Sequence, residues 1–367
     1  MASKARTTGK VMAWPAWSAA ALAMLALAGF ATKEHWQHQW FAATLCEGSL
    51  RASDLADVLP DQRLQAGTDE TDADRGRMKC RINRDERHYA LAVDAYTDPE
   101  DLERQLDYGF SIPLVASFAL PAGIPGLANE FGPVILQDCP DLGRDAQGRQ
   151  RRLLTTVHAW GEETTPASAR IAVSMANTAS ERLGCGAAPL PTPPAGNAPY
   201  EPPPAVPPAK AKGTVCGWLA GLTLPKSPNG AEWGVVPHTD ADAPVTGCSL
   251  RDPASGKTAV SFSGWYGDWT EKPFERLLMN NVAYADDLDS GQPMMSEELG
   301  RARARCDDET VNYLAFDYPR GTDIRDRHLT GRQLRPLLNA FAKDQAKRRG
   351  CTDLELPPAE IHPKKKR

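Results

Sequence analysis

A chain of 367 residues with 41% hydrophobic and 24% charged residues is long enough for two domains and too apolar for wholesale disorder. The formal net charge is −5, and setting aside Lys4, Arg6 and Lys10 at the start leaves −8 on the rest. So mild an acidic excess gives no general electrostatic pull toward nucleic acid or anionic lipid, and no nucleic-acid partner is expected.

Residues 1–10 read as a short cytoplasmic tail. Residues 11–31, VMAWPAWSAAALAMLALAGFA, form an uncharged run of 21 residues. As a helix rising about 1.5 Å per residue it spans a hydrocarbon core of about 30 Å. The basic residues before it point to a cytoplasmic N-terminus and an extracytoplasmic C-terminus, a single-pass signal anchor in contact with the lipid bilayer. The small residues of Ala26-Leu27-Ala28 also permit cleavage as a signal peptide, and the sequence leaves that choice open. Residues 32–45 carry Trp36, Trp40 and Phe41, a composition suited to a membrane–water interface.

The eight cysteines follow in two sets of four. Cys46, Cys80, Cys139 and Cys185 are separated by 34, 59 and 46 residues; Cys216, Cys248, Cys306 and Cys351 by 32, 58 and 45. Matching intervals indicate a tandem duplication, with modules at 46–186 and 214–353. Thiols outside the cytoplasm oxidise, so four disulfides are expected. Pairing first with second and third with fourth within each module is the favoured arrangement. Loops of that size are worth roughly 4 kcal/mol each in the chain-entropy model. Structural zinc requires closely spaced cysteine pairs, and the chain has none; no metal or cofactor is expected.

Within each module the elements recur in the same order. A short helix over Ala52 to Leu59, capped by Ser53 or Asp54, has a weaker counterpart over Leu219 to Leu224. Strands are predicted over Tyr89–Tyr96 and Thr258–Trp265, over Gly132–Cys139 and Leu299–Cys306, and over Leu153–Trp160 and Val311–Tyr318. Helices then run from Ala167 to Leu183 and from Gly331 to Arg349, each stopped by Gly-Cys, at Gly184-Cys185 and Gly350-Cys351. The fold class is α+β: after the transmembrane helix, two homologous disulfide-stapled modules, each an antiparallel sheet with a helix on one face. Between them, residues 187–213 hold ten prolines in 27 positions. This predicts a semi-rigid polyproline spacer with an extended limit of roughly 80 Å. Residues 354–367 form a tail ending in Lys364-Lys365-Lys366-Arg367.

No motif for catalysis survives its context. Ser255-Gly256-Lys257-Thr258 resembles the end of a phosphate-binding loop, but Arg251 stands where the motif needs glycine. Asp287, Asp289 and Glu298 fit three places of a calcium loop, with Gly291 one place too early. These acids, like Asp69, Glu70, Asp72 and Asp74, read as solvated loops. The histidines are dispersed; His88 and His158 lie in or beside strands of the first module, without histidine in the matching places of the second. No catalytic residue is therefore assigned. The one candidate ligand surface is Trp265, Tyr266 and Trp269, three rings in five residues at a strand end. They suit stacking on sugar or gripping a peptide, but Trp265 follows the alternation of its strand, and filling the edge of the core is the favoured reading.

The basic N-terminus, the apolar span, the Trp-rich stretch and the run Leu45-Cys46-Glu47-Gly48-Ser49-Leu50-Arg51-Ala52-Ser53-Asp54-Leu55 resemble a group of uncharacterised actinobacterial proteins typical of streptomycetes. So do Val134–Cys139 and Ala172–Cys185. The likeness covers the anchor and first module and, more loosely, the second. It implies a membrane-tethered extracytoplasmic protein and brings no activity or catalytic residue. The function expected is non-enzymatic: a binding or scaffold protein whose two modules, on a stiff spacer, engage an envelope protein or glycan bivalently. A sensory accessory subunit and a wall-acting hydrolase are the alternatives.

Overall fold

A computed structural model describes residues 33–361, apart from 61–62, 110–117, 122, 130–131, 147, 149, 161–163, 197–202, 240–242, 271–291, 307–308 and 319–326. The expected cytoplasmic tail, membrane span and basic C-terminal run, and Asp287, Asp289 and Gly291 of the calcium-like loop, lie outside these residues. Among the described residues, no helix is long and apolar enough to cross a membrane.

The first half begins with helix α1 (Lys33–Thr44) and the short α2 (Ala52–Val58). Strands β1 (Gln65–Asp72), β2 (Arg77–Asn83) and β3 (Tyr89–Tyr96) follow, then α3 (Pro99–Gly109). The sheet is completed by β4 (Phe118–Ala119), β5 (Gly126–Asn129), β6 (Gly132–Asp138) and β7 (Arg152–Ala159), and covered by α4 (Pro166–Arg182). The second half has β8 (Gly234–Pro237), β9 (Val245–Arg251), β10 (Thr258–Trp265), β11 (Met294–Met295), β12 (Leu299–Cys306) and β13 (Glu309–Asp317). Helix α5 (Gly331–Arg348) and β14 (Thr352–Glu355) end it.

All pairings are antiparallel, and the two sheets have one plan. The first runs β1-β2-β3-β7-β6-β5-β4 and the second β8-β9-β10-β13-β12-β11, with β14 added on β12. Cys80 lies in β2 and Cys248 in the matching β9, while Cys139 follows β6 and Cys306 ends the matching β12. The four bridges are Cys46–Cys80, Cys139–Cys185, Cys216–Cys248 and Cys306–Cys351, the favoured pairing.

Period-two alternation decides which face each strand buries. Met78, Cys80 and Ile82 of β2 turn toward α4, and Arg77, Lys79 and Arg81 turn away. The long helices are set by matching end signals. Thr165 with Ser168, and Thr330 with Gln333, form reciprocal capping boxes at the N-termini. At the C-termini Gly184 and Gly350 both take φ +67°, and the next cysteine amides reach back to Ser180 O (2.8 Å) and Ala346 O (2.9 Å). These are Schellman closures, and each leaves a cysteine at the helix end to be tied to the sheet.

Two local expectations are corrected. Helix α2 takes no side-chain cap from Ser53 or Asp54; its N-cap is Arg51. Asp54 is instead buried and accepts from Arg170 Nε at 2.6 Å, a charge-assisted bond stronger than a cap. The counterpart helix near Leu219 is a single 3₁₀ turn, Gly217–Gly221.

The described ends of the Pro-rich segment do not hang free as a spacer. Leu190 N donates to Asn177 Oδ1 at 2.8 Å, Asn177 Nδ2 donates to Leu190 O at 3.2 Å, and Arg170 Nη1 donates to the carbonyls of Pro194 and Gly196. Val206 and Val235 exchange backbone hydrogen bonds. Proline removes donors but keeps its carbonyl, so side chains on α4 supply the missing N–H groups.

Each half has a core between its helix and its sheet. A third apolar cluster joins the halves. It contains Leu102 and Leu106 of α3, Leu127, Val134, Leu136 and Leu154 from the first sheet, and Val245, Trp265, Leu299, Leu314 and Phe316 from the second, with Trp269 and Met294 beside them. The layers are therefore helix, sheet, sheet, helix, with the sheet faces remote from the helices turned toward each other.

Candidate functional site

A cleft of about 1130 Å³ opens where the two halves meet. That is somewhat above the range of about 300–1,000 Å³ for small-ligand sites. Its first-half wall is the end of β6, the start of β7 and the turn before β5; its second-half wall comes from the segment after β10 and the end of α5.

The polar groups are placed by strand register and by the disulfides. Asp138 ends β6 and stands opposite Arg152, which begins β7. Arg152 Nε donates to Asp138 Oδ1 at 2.9 Å, with the carboxylate largely exposed and the guanidinium mostly covered. Arg152 also reaches the second half: its Nη1 and the Glu309 Oε2 both lie within 4 Å of where a Cβ on Gly267 would sit. Gly267 has φ +58°, so glycine answers both the backbone and the crowding there.

From the second half, the Arg349 guanidinium lies over the Tyr266 ring, 4.1 Å from its centroid, and donates to Ala243 O at 2.5 Å. Burial pushes the Tyr266 hydroxyl above its ordinary pKa, and it donates to Gln345 Oε1 at 3.3 Å. Asp138 directly precedes Cys139, and Arg349 stands two places before Cys351. Two bridges therefore brace opposite sides of the cleft.

Two amides complete the first-half wall. Gln150 donates to the carbonyls of Cys139 (2.7 Å) and Gly143 (3.0 Å). Gln137 is 6% exposed and donates to Ala188 O at 3.3 Å, but its Oε1 is buried with no partner. A buried acceptor left unmade is costly and calls for a donor. Among the described residues, the edge of β6 is also open here. Strand β5 pairs with β6 only as far as Gly126 and Ile135, with one further bond from Leu136 N to Pro125 O. Leu136, Gln137 and Asp138 then line the cleft.

The three rings singled out in the sequence do not form an exposed surface. Trp265 is wholly buried in the layer between the sheets and donates to Ser263 Oγ at 2.9 Å, while Trp269 and Tyr266 are 3% and 8% exposed. Strand alternation carries Trp265 to the face opposite α5, which here is the face covered by the other half. Tyr266 and Trp269 still contribute atoms to the cleft wall.

The other sequence candidates stay apart from the cleft. His88 is exposed, its Nδ1 2.8 Å from Asp85 Oδ1. His158 packs edge-on against Trp160. Ser255 Oγ donates to Asp252 Oδ2 in a tight turn. Asp69, Glu70 and Asp72 lie in the edge strand β1, not in a loop, and Glu298 is held by Arg327. Among the described residues, no cluster of His, Cys, Asp and Glu is arranged to hold a metal.

A smaller cavity of about 360 Å³ lies beside His238 and is lined from both halves by Ala119, Pro203 and Thr239. Burial, helped by the Arg251 charge, lowers the His238 pKa to about 4, so the ring is neutral at pH 7 and shares a hydrogen bond with Ser249 Oγ at 2.8 Å.

Gln137, Asp138, Gln150, Arg152 and Arg349 were not singled out by motif. Their only signal in the sequence is that Asp138 and Arg349 flank cysteines. Comparison with family models, curated proteins and solved structures gave no match to this chain.

Proposed function

We propose that the chain is a membrane-tethered extracytoplasmic binding protein, not an enzyme, and that its ligand occupies the cleft between the two modules. The tether rests on the uncharged run of residues 11–31 behind Lys4, Arg6 and Lys10. The four disulfides suit an oxidising compartment.

The observation that carries the binding role is the cleft itself. Both halves build it, and a carboxylate, two guanidinium groups and an unmet amide acceptor converge on it. Because the halves share an apolar layer, the reading is one two-module receptor in place of two independent modules on a spacer.

The test is site-specific photocrosslinking of the full chain in its native envelope, with the photoreactive residue at Ala188 in the cleft or at Asp353 outside it. A product formed from position 188 and absent from 353 supports the reading. Identical products from both positions, or none from 188, refute it. Cysteine labelling of intact cells checks topology separately: a cysteine placed at Asp353 is labelled from outside only if the chain is exported.

A further inference from the structure

We propose that Cys306–Cys351 is a thiol–disulfide exchange site: an exported dithiol opens this bridge in the folded protein, and its opening loosens the wall of the cleft at the end of α5. The second part rests on the cleft being the binding site; the first stands without it.

Three observations carry the assignment. The first is access. All eight cysteines are among the described residues. Cys46, Cys80, Cys139, Cys185, Cys216 and Cys248 are at most 1% exposed, while Cys306 and Cys351 are both partly exposed. Their neighbours Arg305, Thr352 and Asp353 are exposed as well, so this bridge lies at the surface. Exchange requires a thiolate to reach a sulfur, and in the folded state one bridge of four admits it.

The second is polarity. Tyr313 Oη donates to Cys351 Sγ at 3.7 Å. Burial pushes the Tyr313 pKa up, so its hydroxyl keeps the proton and remains a donor. A donor on one sulfur stabilises the charge which that sulfur carries as it leaves, so attack falls on Cys306. A thiolate of the dithiol bonds to Cys306 Sγ and the Cys306–Cys351 bond breaks. Cys351 Sγ leaves with the electron pair and takes a proton from water. The second thiol of the dithiol then displaces Cys306, which is protonated in turn. The bridge gains two electrons and two protons, and the dithiol becomes a disulfide.

The third is position. Gln345 in the last turn of α5 accepts from the Tyr266 hydroxyl, and Arg349 just after that helix lies over the Tyr266 ring. Tyr313 packs edge-on against the same ring, with centroids 6.2 Å apart. Opening the bridge removes the covalent tie between this helix end and β12, next to the side chains that set Tyr266 in the cleft wall.

The test uses the full chain in detergent, without denaturant. Dithiothreitol is added, free thiols are trapped with light iodoacetamide at intervals, and the remaining cysteines are labelled heavy after unfolding and read by peptide mass spectrometry. Cys306 and Cys351 are expected to take the light label at least tenfold faster than the other six. A second bridge opening as fast, or opening of all four together at a rate that rises with urea, overturns the exchange site. With glutathione in place of the dithiol, the mixed disulfide is expected on Cys306 over Cys351 by at least tenfold, and Tyr313→Phe should even out that partition. An excess on Cys351 in the unmutated chain overturns the direction of attack.

The coupling is read separately, in the native envelope, from the photocrosslink at position 188. Cys306→Ser with Cys351→Ser leaves the other three bridges and should reduce the product at least threefold. An undiminished product overturns the coupling and leaves the exchange site to the labelling result. No product from the unmutated chain refutes the cleft reading and the coupling with it, and again leaves the exchange site to be decided by labelling.

Discussion

Cutting the chain once between its modules tests whether the halves form one body. All four disulfides close within a half, so a protease site inserted after Tyr200 leaves the two fragments joined only by non-covalent contacts. The cluster between the sheets buries thirteen side chains, with Leu127, Leu154 and Trp265 fully inaccessible. The cut fragments are expected to co-elute in gel filtration at micromolar concentration, which requires an association free energy of about −8 kcal/mol. Trp265→Ala removes the largest side chain of that layer, and truncating a buried tryptophan costs about 3–5 kcal/mol. That weakens association roughly 100- to 5000-fold, and the fragments should separate. Leu154→Ala, on the opposing sheet, should act in the same direction at about 2–5 kcal/mol, which distinguishes loss of association from damage to the second half alone. Separation of the unmutated fragments, or variants that change nothing, would refute the layered arrangement and with it the cleft.

Three further outcomes are expected. Arg170→Met leaves Asp54 buried without its partner and releases the carbonyls of Pro194 and Gly196; urea unfolding followed by fluorescence should show a loss of about 3–5 kcal/mol, partly recovered in the D54N/R170M double variant. His238 has a folded pKa of about 4 against an ordinary 6.5, so between those values the unfolded chain binds a proton that the fold does not. Its contribution is complete above pH 6.5 and is lost as pH falls toward 4, by about 3 kcal/mol, and the difference in urea midpoint between wild type and His238→Asn should trace that curve. Trp36 and Trp40 lie one turn apart on α1 and are 42% and 46% exposed, while Gln37 and Phe41 are buried against the first module. With the full chain in vesicles, lipids brominated near the headgroup should quench fluorescence, and W36F/W40F should lose the part of that quenching not due to Trp14 and Trp17.

The duplicated framework was readable because its signals are local. Cysteine intervals, alternating strands such as Tyr89–Tyr96 and Thr258–Trp265, and the glycines before Cys185 and Cys351 depend on near neighbours in the chain. Strands β1, β2, β4, β5, β8, β9, β11 and β14 were missed. Gln65–Asp72 is acidic and exposed on an edge, with no apolar alternation to announce it. The cleft was illegible for a different reason. Its groups come from positions as far apart as Gln137 and Arg349, and only the packing of one sheet on the other brings them together. Trp265 is buried, as its place in the strand's alternation favoured, but alternation could not show that another module covers that face. The proline-rich segment misled the reading: its composition describes a stiff chain, and nothing local reveals that Asn177 and Arg170 hold its start.

Where the cleft forms, the two halves have stopped being copies. Tyr96 and Trp265 end matching strands, but the next residue is Thr97 in one half and Tyr266 in the other. The residue before the third cysteine of each set is Asp138 in one and Arg305 in the other, so the charge is reversed. Two places before the last cysteine stand Leu183 and Arg349. Leu183 is buried against its own core, while Arg349 reaches out over Tyr266 and to Ala243. A face-to-face duplication constrains the residues of the shared apolar layer, because a polar substitution there leaves a buried group without a partner. The strand ends beside the disulfides are under no such constraint, since the bridges hold the backbone whatever side chains it carries. Divergence at those ends turns two equivalent modules into the two unlike walls of one site. Restoring equivalence should therefore weaken the site more than the fold: Arg349→Leu, copying Leu183, is expected to reduce the photocrosslink formed from position 188 at least tenfold while shifting the urea midpoint little. Loss of stability without loss of binding would show that the arginine serves packing alone.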